Sequence, residues 1–289
     1  MTNITSELLL YKLRNVPPTA HKGVRGTLTV VSGSLMYRGA ASLAVGSALR
    51  TGCGIVRLIS CEKVVSAVAA RYSCCTFLPV SESSSGTVGA DCASAIYGVS
   101  DKTNAFLIGC GLGQSAEASA AVSAVAACGK KAVLDADALN IISANPNIYS
   151  TLKKGFIVTP HVGEMARLMG ATVSDIKSDP MSYAKRFSLE HGCVTVLKDC
   201  QTVISTENGE IYLSNLGNEG LAKGGSGDTL AGLIAGFAAQ DYSIADAAII
   251  GTAVHGLSAA LCAEENGKMA MLPSDLEKYT VKLLASLGF

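Results

Sequence analysis

The sequence has few charged residues and no excess charge of either sign. Of its 289 residues, 16% are Asp, Glu, Lys or Arg, and 23 basic side chains balance 23 acidic ones. Typical soluble domains are about 25% charged, so this chain has more apolar material to bury in a core or against copies of itself. A net charge of zero offers nothing that would attract nucleic acid or an anionic membrane surface.

Signals for export and membrane insertion are also lacking. The Leu8-Leu9-Leu10 run is too short for the apolar part of a signal peptide, and no basic segment precedes it. The most apolar stretch, 247–263, contains His255 and Gly256 and is short for a membrane span, so it predicts a buried helix. The ten cysteines include no C-x-x-C pair and indicate small apolar residues in a reducing compartment. We therefore predict a cytoplasmic protein.

Motifs that would bind nucleotides or metals in familiar ways are absent or incomplete. No G-x-x-x-x-G-K-[ST] sequence occurs, which excludes a Walker-type site. In Gly109-Cys-Gly-Leu-Gly113 the third glycine of the Rossmann fingerprint is displaced and no acidic residue follows at the expected distance, so a tight turn facing a ligand is the better interpretation. His161 and Glu164 have the spacing of a metal pair on a helix, but such a pair is more often structural or substrate-facing.

Short apolar runs alternate with helical segments along the chain. Strands are predicted at 27–31, 55–59, 106–108, 132–134, 156–158 and 194–197, with 202–204 returning beside the last. This pattern predicts one doubly wound, mostly parallel α/β domain over 1–289, with helices on both faces, an N-terminal extension at 1–20 and an exposed connection at 81–91. In such folds ligands bind beyond the carboxyl ends of the strands.

A glycine-rich stretch, 215–232, is the strongest local signal. Five glycines lie between Gly217 and Gly227, Asp228 follows at once, and a run with helical spacing begins at Leu230. Glycines let the backbone approach a ligand, and amides at a helix start bind anions. An acid at such a place makes sense if it accepts a proton from a hydroxyl while the amides hold the transferred group. The alternative is that Asp228 only caps the helix.

For the other polar residues, the sequence allows both a structural role and a functional one. Asp135 and Asp137 close a strand, either as turn residues or as catalytic groups. Lys198 and Lys223 have two possible interpretations each: the side chain extends into solvent, or it contacts a phosphate. His255, in an apolar helix, is more often a satisfied core histidine than a ligand.

These elements together resemble a known family, and the resemblance covers about residues 21–280. The motifs are His21-Lys-Gly23 with Gly26, Ser32-Gly-Ser34 with Gly39-Ala-Ala41, Gly109-x-Gly-Leu-Gly113, Asp135-Ala-Asp-Ala-Leu139, Thr159-Pro-His-x-Gly-Glu164, Lys198-x-x-x-Thr202 and Gly217-Asn-x-Gly…Gly224-Gly-Ser-Gly-Asp228. The chain resembles the ADP/ATP-dependent NAD(P)H-hydrate dehydratases, which have a ribokinase-like fold. It is too short for the epimerase domain that some relatives carry fused at the N-terminus.

The resemblance implies repair of hydrated nicotinamide cofactors. The hydroxyl of (S)-NAD(P)HX would be phosphorylated from ADP or ATP, and phosphate would then be eliminated to restore NAD(P)H. Mg²⁺ is expected to bridge the phosphates without dedicated protein ligands. The matching positions are Asp228 as base with the amides of Gly225, Ser226 and Gly227; Ala40, Gly111, His161 and Asp228 for the substrate; and Lys198, Asp199, Cys200, Gln201, Thr202 and Gly227 for the nucleotide.

Two departures from the family pattern carry expectations of their own. Cys110 stands where relatives often have proline, which is expected to loosen that turn. Asp199 and Cys200 stand where small residues are common, and an acid beside a diphosphate would weaken binding or shift the choice between ADP and ATP.

Beyond the enzyme itself, the resemblance implies a homotetramer that acts alongside a separate NAD(P)HX epimerase. Two other functions stay open: a small-molecule kinase on the same fold, and a nucleotide-binding sensor without catalysis.

Overall fold

The computed structural model describes residues 1–152 and 155–289. In these residues ten strands form a single sheet. The strands are β1 (Thr2–Asn3), β2 (Thr27–Val31), β3 (Ile55–Cys61), β4 (Thr76–Val80), β5 (Ala105–Ile108), β6 (Lys131–Leu134), β7 (Phe156–Val158), β8 (Val194–Leu197), β9 (Thr202–Ser205) and β10 (Ile211–Ser214).

Thirteen α-helices connect or flank these strands in the described part of the chain. They are α1 (Ser6–Lys12), α2 (Arg38–Leu49), α3 (Glu62–Ala69), α4 (Cys92–Val99), α5 (Ala116–Ala127), α6 (Asp137–Ala144), α7 (Asn147–Thr151), α8 (Val162–Met169), α9 (Val173–Ser178), α10 (Pro180–His191), α11 (Ser226–Ala239), α12 (Ile244–Asn266) and α13 (Leu276–Ser286).

The sheet is doubly wound, as the alternation of strands and helices predicts. Its strand order is β1-β10-β9-β8-β7-β6-β5-β2-β3-β4, and only β9 runs antiparallel to its neighbours. The chain moves from β2 outward through β3 to β4 and then returns to place β5 on the other side of β2. The strand order therefore reverses between β2 and β5, and such a switch point is where open α/β sheets form their ligand crevice.

Helices cover both faces of the sheet because alternate residues of its strands point to opposite sides. Leu28 and Val30 of β2 belong to one core cluster with residues of α2, α11 and α12, whereas Val31 belongs to a second cluster with residues of α4, α5 and α10. A strand buried on both faces has no polar side to alternate with. This explains why these strands are continuous apolar runs in the sequence.

The predicted buried helix at 247–263 is confirmed within α12. In the described residues this is the one helix long and apolar enough to cross a membrane, and 72% of its apolar window is buried inside the fold. It packs between α11 and α13 as a core element.

Two segments expected to be peripheral take part in the fold. In the N-terminal extension, β1 pairs in parallel with β10, and α1 packs on α12 with Leu9 fully buried. The prediction of an exposed connection at 81–91 is wrong at residues 86–89, which are buried. The amide of Leu35 donates to the carbonyl of Gly86 at 2.8 Å, and this bond draws the connection onto the loop that follows β2.

Candidate active site

The loops after β2 and β5 meet at the switch point. The carbonyl of Cys110 accepts hydrogen bonds from Ser32 Oγ at 2.6 Å and from the Gly33 amide at 2.9 Å. Gly111 has φ +59°, and a Cβ on it would lie 2.6 Å from the Cβ of Tyr37 and 2.8 Å from that of Ala40. Only glycine fits there, and the structure brings Ala40 and Gly111 together. Whether Cys110 loosens the turn relative to proline stays a prediction, because the two hydrogen bonds go to a carbonyl that proline would also present.

The glycine-rich stretch delivers Asp228 to the same crevice. Gly225 has φ +103° and is the N-cap of α11, so Asp228 occupies the third position of the helix. The alternative in which Asp228 caps the helix is therefore wrong. The Ser226 amide donates to the carbonyl of Lys223 at 3.2 Å. The amides of Gly227 and Asp228 have no acceptor within residues 1–152 and 155–289, as expected for the first turn of a helix.

A buried pair of opposite charges lies beside Asp228. Asp135 follows β6 and is 1% exposed, and its Oδ1 accepts from Lys198 Nζ at 2.8 Å and from Thr159 Oγ1 at 2.7 Å. The thiol of Cys110 contacts Asp135 Oδ2 at 3.5 Å. One carboxylate oxygen of Asp135, one of Asp228 and the Cys110 sulfur all lie within 4.8 Å of one another. Asp135 is thus a site residue and not only a turn residue.

This environment sets the proton affinities of the cluster. Burial, followed by the negative charge of Asp135, raises the pKa of Asp228 to about 6. Burial and the two carboxylates raise the pKa of the Cys110 thiol well above its ordinary value. Burial acts to lower the pKa of Lys198, but Asp135 and Glu164 outweigh it, and the pKa is raised. The lysine and the thiol therefore keep their protons, and Asp228 titrates nearest to neutrality.

His161 and Glu164 form a capping box at the start of α8. The His161 Nδ1 accepts from the amides of Gly163 at 2.9 Å and Glu164 at 3.3 Å, and Glu164 Oε2 accepts from the His161 amide at 2.8 Å. The His161 side chain is 55% exposed. Its Nδ1 and the Glu164 carboxylate serve the helix start, which favours the structural or substrate-facing interpretation over metal binding.

The predicted nucleotide segment is the tight turn between β8 and β9. Asp199 and Cys200 are exposed at its tip, where Asp199 Oδ1 accepts from the Cys200 amide at 2.8 Å. Gln201 Nε2 donates to Asn215 Oδ1 at 3.0 Å, and Thr202 opens β9. Lys198 links this turn to the glycine-rich stretch, because a Cβ on Gly227 would lie 3.3 Å from its Nζ.

Three further candidates have structural contacts. His255 is buried, and its Nε2 lies 3.1 Å from Thr229 Oγ1, so it is the satisfied core histidine that was expected. Lys223 Nζ donates to the carbonyls of Met269 at 2.5 Å and Met271 at 2.6 Å. Asp137 accepts from the Gly113 amide at 2.8 Å and from Gln114 at 3.1 Å, and so holds the turn after β5.

The sequence analysis did not identify two residues that contact the carboxylates of the site. Thr159 holds Asp135, and the Cys110 thiol faces both carboxylates. The available signal was that Cys110, Asp135, Thr159 and Lys198 each follow closely on a strand, and that β5 to β8 are neighbours in the sheet.

The side chains of this cluster do not form a magnesium site. Mg²⁺ prefers oxygen ligands in octahedral geometry, whereas this set contains a protonated thiol and a carboxylate already paired with an ammonium group. A magnesium ion in this crevice would accordingly be held by nucleotide phosphates and water.

The doubly wound sheet, with an acid and a glycine-rich turn at its switch point, has a ribokinase-like fold. A ribokinase-like superfamily protein from Enterococcus faecalis shares this fold with a TM-score of 0.88 at 24% identity, covering 99% of this chain and 96% of that one.

The particular family follows from sequence. The sequence model of the NAD(P)H-hydrate dehydratase family matches residues 28–282, and the chain belongs to this family. It is 34% identical to the ADP-dependent (S)-NAD(P)H-hydrate dehydratase of Neisseria meningitidis serogroup B over 258 residues, 88% of this chain and 82% of that protein.

A solved structure points to the same family. It is the ADP/ATP-dependent NAD(P)H-hydrate dehydratase of Bacillus subtilis, co-crystallised with ATP and Mg²⁺, which matches with a TM-score of 0.85 at 28% identity and covers 99% and 98% of the two chains. The resemblance expected from the motifs is confirmed. The chain spans about half the length of the first curated relatives that it matches, which are bifunctional NAD(P)H-hydrate repair enzymes.

Proposed function

We propose that this protein is a nucleotide-dependent dehydratase that converts (S)-NAD(P)HX to NAD(P)H. The observation that carries the proposal is the placement of Asp228 at the switch point, together with the amides of Gly227 and Asp228 at the start of α11. Transfer of a phosphoryl group to a hydroxyl requires a base for the hydroxyl proton and a cradle for the charge of the moving group, held in fixed geometry.

In the proposed first step, Asp228 accepts the proton of the ring hydroxyl, and the hydroxyl oxygen attacks the terminal phosphorus of ADP or ATP. The bond from that phosphorus to the bridging oxygen breaks, and AMP or ADP leaves. The phosphorylated ring then loses inorganic phosphate and a proton from the neighbouring ring carbon, which restores the dihydronicotinamide. Preorganised amide donors stabilise the transferring group, and each well-aimed donor is worth roughly 3 kcal/mol.

The remaining site residues are assigned by their match to the family motifs. By the motif match, Ala40, Gly111 and His161 are assigned to the substrate, and the turn from Lys198 to Thr202 is assigned to the nucleotide. In support, Ala40 lies beside Gly111 and Lys198 lies beside Gly227. The Ser226 amide, engaged by the Lys223 carbonyl, becomes a donor to the phosphoryl group only if that bond opens when nucleotide binds. Mg²⁺ supplies charge neutralisation between phosphates when nucleotide is present.

The direct test incubates the purified protein with (S)-NADHX, Mg²⁺ and either ADP or ATP. Recovery of the dihydronicotinamide absorbance that depends on nucleotide is expected, and the better donor is identified in the same assay. Omission of nucleotide is the control. Formation of a stable phosphorylated product, without recovery of absorbance, would instead assign the protein to the small-molecule kinases.

The pH profile tests the role of Asp228 as base. Because the base acts when ionised, and its pKa is raised to about 6, kcat/KM is expected to fall about tenfold per pH unit below pH 6 and to level off above it. The measurement is kcat/KM from about pH 4.5 to about pH 8.5, a range that includes both the acidic limb and the plateau. An acidic limb at the ordinary aspartate pKa would contradict this assignment.

We also propose a homotetramer in the cytoplasm that uses the product of a separate NAD(P)HX epimerase. The low charged fraction supports self-association. The absence of disulfides among the ten cysteines, which are all free, supports a reducing compartment such as the cytoplasm. A monomer mass in light scattering at micromolar concentration would contradict the tetramer.

A further inference from the structure

The ion pair between Asp135 and Lys198 lies close enough to Asp228 for its charges to affect the ionisation of that carboxyl. Asp135 is 1% exposed, and three donors fix its carboxylate: Lys198, Thr159 and the Cys110 thiol. A buried carboxylate held by this many donors is fixed in orientation. Its oxygen lies within 4.8 Å of an oxygen of Asp228, a distance at which two like charges in a buried site strongly oppose each other.

We infer that Asp135 is a positioning residue that acts through Asp228. The fixed negative charge of Asp135 helps Asp228 to hold the proton that Asp228 receives from the substrate. The inference rests on the proposed role of Asp228 as base. It gives Asp135 a task that its contacts alone do not reveal, because a carboxylate needed only to bind a lysine has no reason to face a second carboxylate. A base matched to neutral pH transfers protons more effectively than an ordinary aspartate.

Four titratable groups in the described part of the chain influence the ionisation of Asp228. Asp135 and, more weakly, Asp137 oppose its ionisation, whereas Lys198 and the Cys110 thiol favour it. His255 reaches the same helix from α12, but burial lowers its pKa to about 4, so it is neutral at working pH. Asp135 and Lys198 therefore act on Asp228 with opposite signs, and removing each should move its titration in opposite directions.

The test follows the titration of Asp228 directly in the free protein. Aspartate side-chain carboxyls are labelled with ¹³C, and the Asp228 resonance is assigned by its loss in Asp228→Asn. In Asp135→Asn the midpoint is expected to move down by about one pH unit, and in Lys198→Gln it is expected to move up by a smaller amount. This readout needs no substrate, so failure of the proposed function and failure of this inference are distinguishable.

Two matched controls separate the charge effect from structural damage. Asp137→Asn removes the same charge two residues away and is expected to move the midpoint by less than about 0.3 pH unit. Thr159→Val removes a hydrogen bond to Asp135 but keeps its charge, and the midpoint should stay. The acidic limb of kcat/KM in Asp135→Asn should follow the resonance.

Equal shifts in Asp135→Asn and Asp137→Asn, or no shift in Asp135→Asn, would overturn the inference. If Asp135→Asn does not fold, Lys198→Gln decides: an unchanged or lowered midpoint in that variant overturns it as well.

Discussion

Asp228→Asn is expected to lower kcat by roughly 10²- to 10⁴-fold while making the protein more stable at neutral pH. The loss of activity is the usual contribution of a general base, because the amide cannot accept the hydroxyl proton. The amide keeps the size of the carboxylate, so binding of nucleotide should change little. Single-turnover assays with (S)-NADHX and saturating ADP or ATP measure the loss at the chemical step.

The gain in stability follows from the raised pKa of Asp228. The folded protein holds this proton up to about pH 6, whereas the unfolded chain releases it near 3.8. The folded state binds more protons in this window, so the stability contributed by Asp228 falls as the pH rises from about 4 to 6 and stays low above it. At pH 7 the ionised carboxylate costs about 3 kcal/mol, which the neutral amide removes.

Thermal unfolding as a function of pH tests this pairing of opposite effects. The Tm of Asp228→Asn should exceed that of the parent protein by a few degrees at about pH 7.5 and converge with it near pH 4. If turnover of the variant is within threefold of the parent protein, the assignment of Asp228 as the base is contradicted. A variant that is inactive and also less stable at neutral pH would contradict the electrostatic account of the site.

Gly232→Ala is expected to destabilise the protein strongly, although it adds only one methyl group. Gly232 lies in α11 where the helix crosses α2, and a Cβ on it would lie 2.3 Å from the carbonyl oxygen of Ala44. That atom belongs to helix backbone and cannot turn aside, so the two helices must separate. Overpacking of this kind costs roughly 1–3 kcal/mol and occasionally more. Because α11 also carries Asp228, activity should fall with stability.

Gly98→Ala is the matched control for the helical glycine. Gly98 is exposed in α4, has no positive φ, and its added Cβ would meet no atom within 4 Å. The same substitution there should stabilise the protein by up to about 1 kcal/mol, because alanine is the better helix former. Denaturant unfolding of both variants measures the two free energies. Equal effects, of either sign, would show that the close approach of α11 and α2 does not limit this fold.

The central strands could be predicted from the sequence because a parallel sheet buried on both faces produces continuous apolar runs, as in 27–31, 156–158 and 194–197. The edge strands β1 and β4, and β10 next to β1, were not predicted. Their residues are partly exposed, so their sequences lack the uniform apolar character that identifies the centre.

Part of the candidate site could likewise be predicted from the sequence, and part could not. The sequence alone determined that Asp228 follows a glycine-rich turn at a helix start, because glycine spacing and helical periodicity are local properties of the chain. Only the tertiary structure decided that Asp135 pairs with Lys198, 63 residues away, and that Asp135 lies next to Asp228. The proton affinity of the base depends on charges that strand order brings together across the sheet, and no local pattern encodes that order.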